Sequence, residues 1–72
     1  MHIEYLVKMA NDIAAFFHAQ AGPDAPREIA AHIRRFWDPR MRQQIIAHVT
    51  TGGDGLVPEA RQAITLLAAP KG

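Results

Sequence analysis

The 72-residue sequence contains no cysteine, few aromatic residues (7%) and no long apolar run. Without cysteine, the chain forms no disulfide and offers no thiolate ligand to zinc or an iron–sulfur cluster. No stretch of consecutive apolar residues approaches the roughly 20 that a membrane-spanning helix needs. We therefore expect neither a disulfide scaffold nor a membrane protein.

The N-terminal segment also lacks the features of a secretory signal. Glu4, Lys8 and Asp12 interrupt the apolar core that such a signal needs, and no A-x-A cleavage pattern follows them. We expect the chain to stay in the cytoplasm.

A domain of this length usually needs a disulfide, a metal or a partner subunit for stability. The four histidines His2, His18, His32 and His48 never fall at the i, i+4 spacing that places two imidazoles on one helical face. We therefore expect no metal site and no cofactor on this chain. A protein partner is the remaining source of stability.

Four segments carry apolar residues at helical spacing, and none alternates as a half-buried strand does. The pattern predicts an all-α fold, a small single domain over residues 1–72 with three to four short helices joined by tight turns. Gly22 and Pro23 end the first helix, and Asp24 caps the second. The predicted helices span about 3–20, 26–37, 39–50 and 58–68, with a flexible Gly-rich turn at 51–56 and a frayed tail at 70–72.

The first predicted helix is apolar over about half of its circumference. Met9 and Phe16 widen its apolar face beyond what a small domain buries by itself, so we expect a second contact surface there. The stripe predicted to face the core consists of Ile3, Leu6, Val7, Ala10, Ile13, Ala14 and Phe17.

Basic and aromatic residues are concentrated where the second predicted helix meets the third. Residues 27–42 hold five arginines against Glu28 and Asp38, a net charge of +3 in a chain whose total is +1. Phe36 lies at helical spacing from the isoleucines before it, so we expect it in the core. Trp37 and its neighbouring arginines fit two interpretations equally well, a core residue among solvated charges or a surface for a partner.

Two residues at this junction have clear structural roles. Asp38 can cap the third helix and Pro39 can occupy its first turn, which makes the connection very tight. The candidate partner-binding residues are Arg34, Arg35, Trp37, Arg40 and Arg42, and the candidate structural residues are Phe36, Asp38, Pro39 and Met41.

The sequence does not favour an enzyme. It shows no nucleophile with a base and an acid at a recognisable spacing, and no pair of carboxylates arranged for acid–base chemistry. The segment Gly52–Gly55 follows a predicted helix and lacks the lysine of a P-loop. His32 and His48 lie at the edges of apolar stripes, where an imidazole usually donates to a nearby carbonyl or carboxylate.

A small nucleic-acid-binding module is the alternative function, because arginine can contact phosphate while aromatic rings stack on bases. The nearly neutral total charge argues against it. A self-associating helical bundle is a third hypothesis.

The run HIRRFWDPRMRQQIIAHV, preceded by MAN in the first helix and followed by GLVPEA after the glycines, resembles a known family. It is similar to the delta subunit of cytoplasmic, NAD-dependent, molybdenum-containing formate dehydrogenases over residues 3–67. The most specific part of the resemblance is the junction Phe36-Trp37-Asp38-Pro39-Arg40-Met41-Arg42.

The resemblance implies a non-catalytic accessory subunit that binds the large molybdenum-containing alpha subunit and supports complex stability, molybdenum cofactor insertion or both. It places bis-molybdopterin guanine dinucleotide, iron–sulfur clusters, FMN and NAD on other subunits, with beta and gamma subunits in the same complex. The arginines of the junction would meet acidic groups of the alpha subunit or the pyrophosphates of the cofactor, since guanidinium binds both.

Overall fold

Residues 2–69 are described by a computed structural model, in which they form four α-helices and one 3₁₀ turn. This range contains no strand, so the predicted all-α fold is confirmed. The tail at 70–72, predicted to fray, lies outside the described residues. The helices are α1 (Ile3–Ala21), α2 (Ala25–Phe36), α3 (Pro39–Thr50) and α4 (Pro58–Ala68), and the 3₁₀ turn is Gly22–Asp24.

The bounds of α3 and α4 coincide with the ranges indicated by the sequence, whereas α2 begins and ends one residue earlier. Within residues 2–69, no helix has both the length and the apolar character to cross a membrane.

The turn between α1 and α2 differs in one detail from the expectation. Gly22 ends α1 with a φ of 54°, as the glycine predicts. Asp24 stands at the start of α2 but its side chain caps no backbone N–H; instead its Oδ1 accepts from Nη2 of Arg27 at 2.7 Å. Asp24 lies within the 3₁₀ turn, with φ −87° and ψ 1°, rather than in the extended conformation of an N-cap. The predicted side-chain cap is therefore wrong, because the local backbone turns the carboxylate toward Arg27.

The connection between α2 and α3 is as tight as the sequence predicts. It consists of Trp37 and Asp38 alone, and Pro39 occupies the first turn of α3. Asp38 is extended, and its Oδ1 accepts from the backbone N–H of Met41 at 2.9 Å. This bond satisfies one of the N–H groups that a helix start leaves without a partner.

Replacing Asp38 with alanine is expected to lower the free energy of unfolding by about 1 kcal/mol, because the N–H of Met41 loses its acceptor. Asp38→Asn keeps an acceptor oxygen and should lower the free energy of unfolding by no more than a few tenths of a kcal/mol. Urea denaturation followed by circular dichroism measures both. Equal losses for the two variants would show that the cap is not the source of the stability.

The core is built where α2 packs against both α1 and α4. Many of its members are alanines, such as Ala10 and Ala14 of α1 and Ala63 of α4. Small side chains at the contacts allow helix backbones to approach closely. The buried residues are Leu6, Ala10, Ala14, Ala25, Ile29, Ala30, Ile33, Trp37, Ile45, Leu56, Ala60, Ala63 and Ile64, and Ile3, Val7, Ile13, Phe17, Met41, Ile46, Val49 and Leu67 are among the partly buried residues packed against them.

Phe36 and Trp37 differ sharply in burial. Phe36 is 66% exposed and Trp37 only 4% exposed, so the expectation that Phe36 lies in the core is wrong. The physical reason is that α2 ends at Phe36, and Trp37 continues in an extended conformation with φ −90° and ψ 138°. This change of backbone direction turns the indole into the core. Phe36 stays on the same side of the helix as His32, with ring centroids 4.7 Å apart.

Replacing each aromatic residue with alanine tests this difference in burial. Trp37→Ala is expected to lower the free energy of unfolding by about 3–5 kcal/mol, and Phe36→Ala by under about 1 kcal/mol, because only the first leaves a cavity. Thermal unfolding measures both, and Trp37→Phe provides a milder variant that keeps part of the ring volume. Similar losses at the two positions would contradict the observed burial.

The glycine-rich turn after α3 is held by side chains from elsewhere in the chain. Asn11 of α1 donates from Nδ2 to the carbonyl oxygen of Gly55 at 2.8 Å, and its Oδ1 accepts from the N–H of Val57 at 2.9 Å. His48 Nε2 lies 2.8 Å from the carbonyl oxygen of Asp54, to which it donates. The sequence predicts a flexible hinge here, whereas these bonds tie the turn to α1 and to the last turn of α3.

Candidate functional site

An open apolar groove of about 470 Å³ lies between α1 and the junction of α2 with α3. Its walls come from three helices, so it exists only once the chain has folded. The residues that line it are Met9, Asp12, Ile13, His32, Phe36, Trp37 and Met41, and we call it the apolar groove.

Exposed apolar side chains extend this surface along α1. Tyr5 is 61% exposed, Phe16 is 58% exposed and Met9 is also exposed. These residues follow one another at spacings of four and seven, which places them on one side of the helix. The widened apolar face expected for the first helix is therefore present and uncovered. Tyr5 was not among the expected contact residues, although its spacing from Met9 already indicates a shared face.

A row of rings crosses from α1 to α2 beside the groove. The ring of Phe16 lies 5.0 Å from that of Phe17, Phe17 lies 5.8 Å from His32, and His32 lies 4.7 Å from Phe36, all between centroids. The guanidinium of Arg35 is 5.7 Å from the centroid of Phe36. His32 thus packs among rings, whereas His48 is the histidine that donates to a carbonyl as expected.

A charged pair lies at the α1 edge of the groove. Asp12 on the α1 side pairs with Lys8 at 3.1 Å, and both side chains are well exposed. The guanidinium of Arg35 lies over the ring of Phe36 but does not line the groove. An apolar floor beside charged residues is the usual anatomy of a protein interface.

The structure divides the predicted arginine patch. Arg34 and Arg42 line one cleft of about 330 Å³, which we call the arginine cleft. Arg35 lines a different hollow with Phe17 and Phe36, and Arg40 is exposed and lines neither. The residues around the arginine cleft are Arg34, Pro39, Arg42, Gln43, Ile46 and Leu67. Because the arginines face different directions and no ring lines this cleft, the arrangement does not favour the nucleic-acid interpretation.

Arg42 supports the fold in addition to lining the cleft. Its Nη1 donates to the carbonyl oxygen of Arg34 at 2.8 Å and to that of Trp37 at 3.2 Å. The carbonyls at a helix C-terminus have no partner within the helix, and a positive charge there also offsets the helix dipole. Arg42 of α3 therefore stabilises the end of α2. Trp37, which it holds, is buried and does not form the exposed anchor that one interpretation of the sequence requires.

Arg42→Gln is expected to lower the free energy of unfolding by about 1–2 kcal/mol, since two carbonyls lose a charged donor. Arg40→Gln, which removes the same charge from an exposed position of the same helix, should change it by no more than about 0.5 kcal/mol. Chemical denaturation at one ionic strength compares them. If both variants lose the same amount, net charge and not the two hydrogen bonds explains the effect.

Another polar pair joins two helices. His18 Nδ1 of α1 lies 2.9 Å from Oε1 of Glu59 of α4. In the part of the chain from 2 to 69, no group of three or more histidine and acidic side chains is arranged to hold a metal ion.

Comparison with known families gives one match. The family model of the NADH-dependent formate dehydrogenase delta subunit FdsD matches residues 5–64. The chain belongs to this family. No curated protein and no solved structure matches it.

Membership in the delta subunit family makes the chain part of a multisubunit formate dehydrogenase. The matched range contains every residue of the apolar groove and every residue of the arginine cleft except Leu67. Apart from Leu67, both surfaces therefore lie within the part of the chain that matches the family.

Proposed function

We propose that this chain is a non-catalytic accessory subunit of a cytoplasmic NAD-dependent formate dehydrogenase. It binds the molybdenum-containing alpha subunit and supports the stability of the complex, insertion of the molybdenum cofactor, or both. Bis-molybdopterin guanine dinucleotide, iron–sulfur clusters, FMN and NAD belong in this proposal to the alpha, beta and gamma subunits. The absence of cysteine agrees with this division, since iron–sulfur clusters are held by thiolates.

The observation that carries the proposal is the uncovered apolar surface. Of the six large apolar residues that are exposed in residues 2–69, four lie along α1 or at the end of α2: Tyr5, Met9, Phe16 and Phe36. Contiguous apolar surface of this kind on a small protein marks a site of interaction. Aromatic residues and methionine are enriched in such interfaces, and a few of them supply most of the binding energy.

The shape of this surface fits a helical segment of the partner. A groove with apolar walls commonly receives the apolar face of an amphipathic helix. Asp12 lines the groove and would orient that helix by pairing with a basic side chain of the partner. We place the apolar contact with the alpha subunit here.

A charged residue in the groove tests the docking site. Phe36→Glu is expected to reduce recovery of the alpha subunit with an affinity-tagged chain by about 30-fold, because a carboxylate would be buried against apolar side chains. Leu66→Glu is the matched control, since Leu66 is also an exposed apolar residue but lies on α4. Recovery is measured by mass spectrometry in a bacterium that makes the matching enzyme, after circular dichroism has shown both variants to be folded.

Equal recovery with both variants would contradict docking through the apolar groove.

Molybdenum per alpha subunit, measured in cells with and without this chain, tests the role in the complex. A fully assembled enzyme with unchanged molybdenum content in cells lacking the chain would contradict both parts of the proposed role.

A further inference from the structure

The arginine cleft carries positive charge that no acidic side chain of residues 2–69 balances. Its lining includes two guanidinium groups and no carboxylate. Asp38, which precedes Pro39 in the sequence, accepts from the N–H of Met41. The ion pairs in the described part of the chain are Lys8–Asp12, His18–Glu59 and Arg27–Asp24, none of which involves Arg34 or Arg42.

Arg42 is already held in place for binding. Both bonds from its Nη1 go to backbone carbonyls, which fixes the guanidinium at the mouth of the cleft. Its Nε and Nη2 groups have no acceptor among the described residues. A planar guanidinium with two free donors on one edge matches a carboxylate in a bidentate arrangement. Because the side chain is ordered by the fold, little conformational entropy is lost on binding.

The floor of the cleft is apolar. Ile46 of α3 and Leu67 of α4 lie beside the arginines, with Pro39 at the edge. A bare phosphate would pair with the arginines but would leave this floor uncovered. A peptide that carries an acidic side chain next to an aliphatic one covers both parts at once.

We propose that the arginine cleft binds the carboxylate of an acidic peptide segment, with a neighbouring aliphatic side chain packed on Ile46 and Leu67. The inference rests on the proposed function only in that the alpha subunit would supply this segment. Arg34 and Arg42 hold the carboxylate, and Gln43 contributes an amide at the rim. The site is separate from the apolar groove, so the partner would contact the chain at two places.

The probe is the peptide acetyl-Leu-Glu-Leu-amide, titrated into the full chain at low ionic strength and followed by ¹⁵N NMR. Arg34→Gln is expected to weaken binding about tenfold, because a charged hydrogen-bonding partner is removed. Arg35→Gln is the matched control: it removes the same charge from the next residue, which faces the other hollow. That variant should bind within about twofold of the unaltered chain, since distant exposed charges contribute little.

Three results would overturn the proposal. Equal weakening by Arg34→Gln and Arg35→Gln would indicate general attraction to a basic protein. Equal binding of acetyl-Leu-Gln-Leu-amide would show that the carboxylate is not recognised. Equal affinity for inorganic phosphate would show that the apolar floor contributes nothing. None of these results affects recovery of the alpha subunit through Phe36, so the two proposals fail independently.

Discussion

The two-residue connection between α2 and α3 is the constraint on which the rest of the structure depends. Trp37 and Asp38 are both extended, and Pro39 follows in the first turn of α3. A proline cannot continue the preceding helix, because it lacks an N–H and crowds the residue before it. The chain must therefore change direction within two residues. The new direction leaves Arg42 within hydrogen-bond reach of the carbonyl oxygens of Arg34 and Trp37 at the end of α2.

The connection between α2 and α3 shapes both candidate surfaces. On one side, the end of α2 leaves Phe36 outside while Trp37 fills the core and forms part of the apolar groove. On the other side, α3 places Arg42 near the end of α2, and Arg42 and Arg34 both line the arginine cleft. One short segment within the matched range thus shapes two surfaces with different chemistry. The apolar groove can bury apolar side chains of a partner, whereas the arginine cleft carries two positive charges.

The packing of the core explains why so much apolar surface remains outside it. Where α1 meets the other helices it buries Leu6, Ala10 and Ala14, and the alanines let the helices approach closely. At about 100° per residue, Tyr5 and Phe16 lie on a different face of α1 from these buried residues, so they remain exposed. A small core with large apolar side chains on its surface suits a subunit that completes its burial in a complex, which agrees with the proposed accessory role.

Local signals in the sequence determined the helices and several of their ends. Pro39 marks a helix start, Gly22 marks a helix end, and the apolar stripe of α1 identifies the face that is buried. The family resemblance was also readable from the run around Phe36 and Arg42, since it depends on the order of residues alone.

Other features depend on tertiary structure and cannot be predicted from the order of residues. Helical spacing placed Phe36 in the core, but the buried member of the pair is Trp37, because the direction of a side chain at a helix end depends on where the backbone leaves the helix. Asn11 hydrogen-bonds to Gly55 and Val57, which are more than 40 residues away in the sequence and lie beside it only in the fold. The arginines form one cluster in sequence but separate surfaces in space, because successive residues of a helix point about 100° apart, and Arg34 and Arg35 therefore line different hollows.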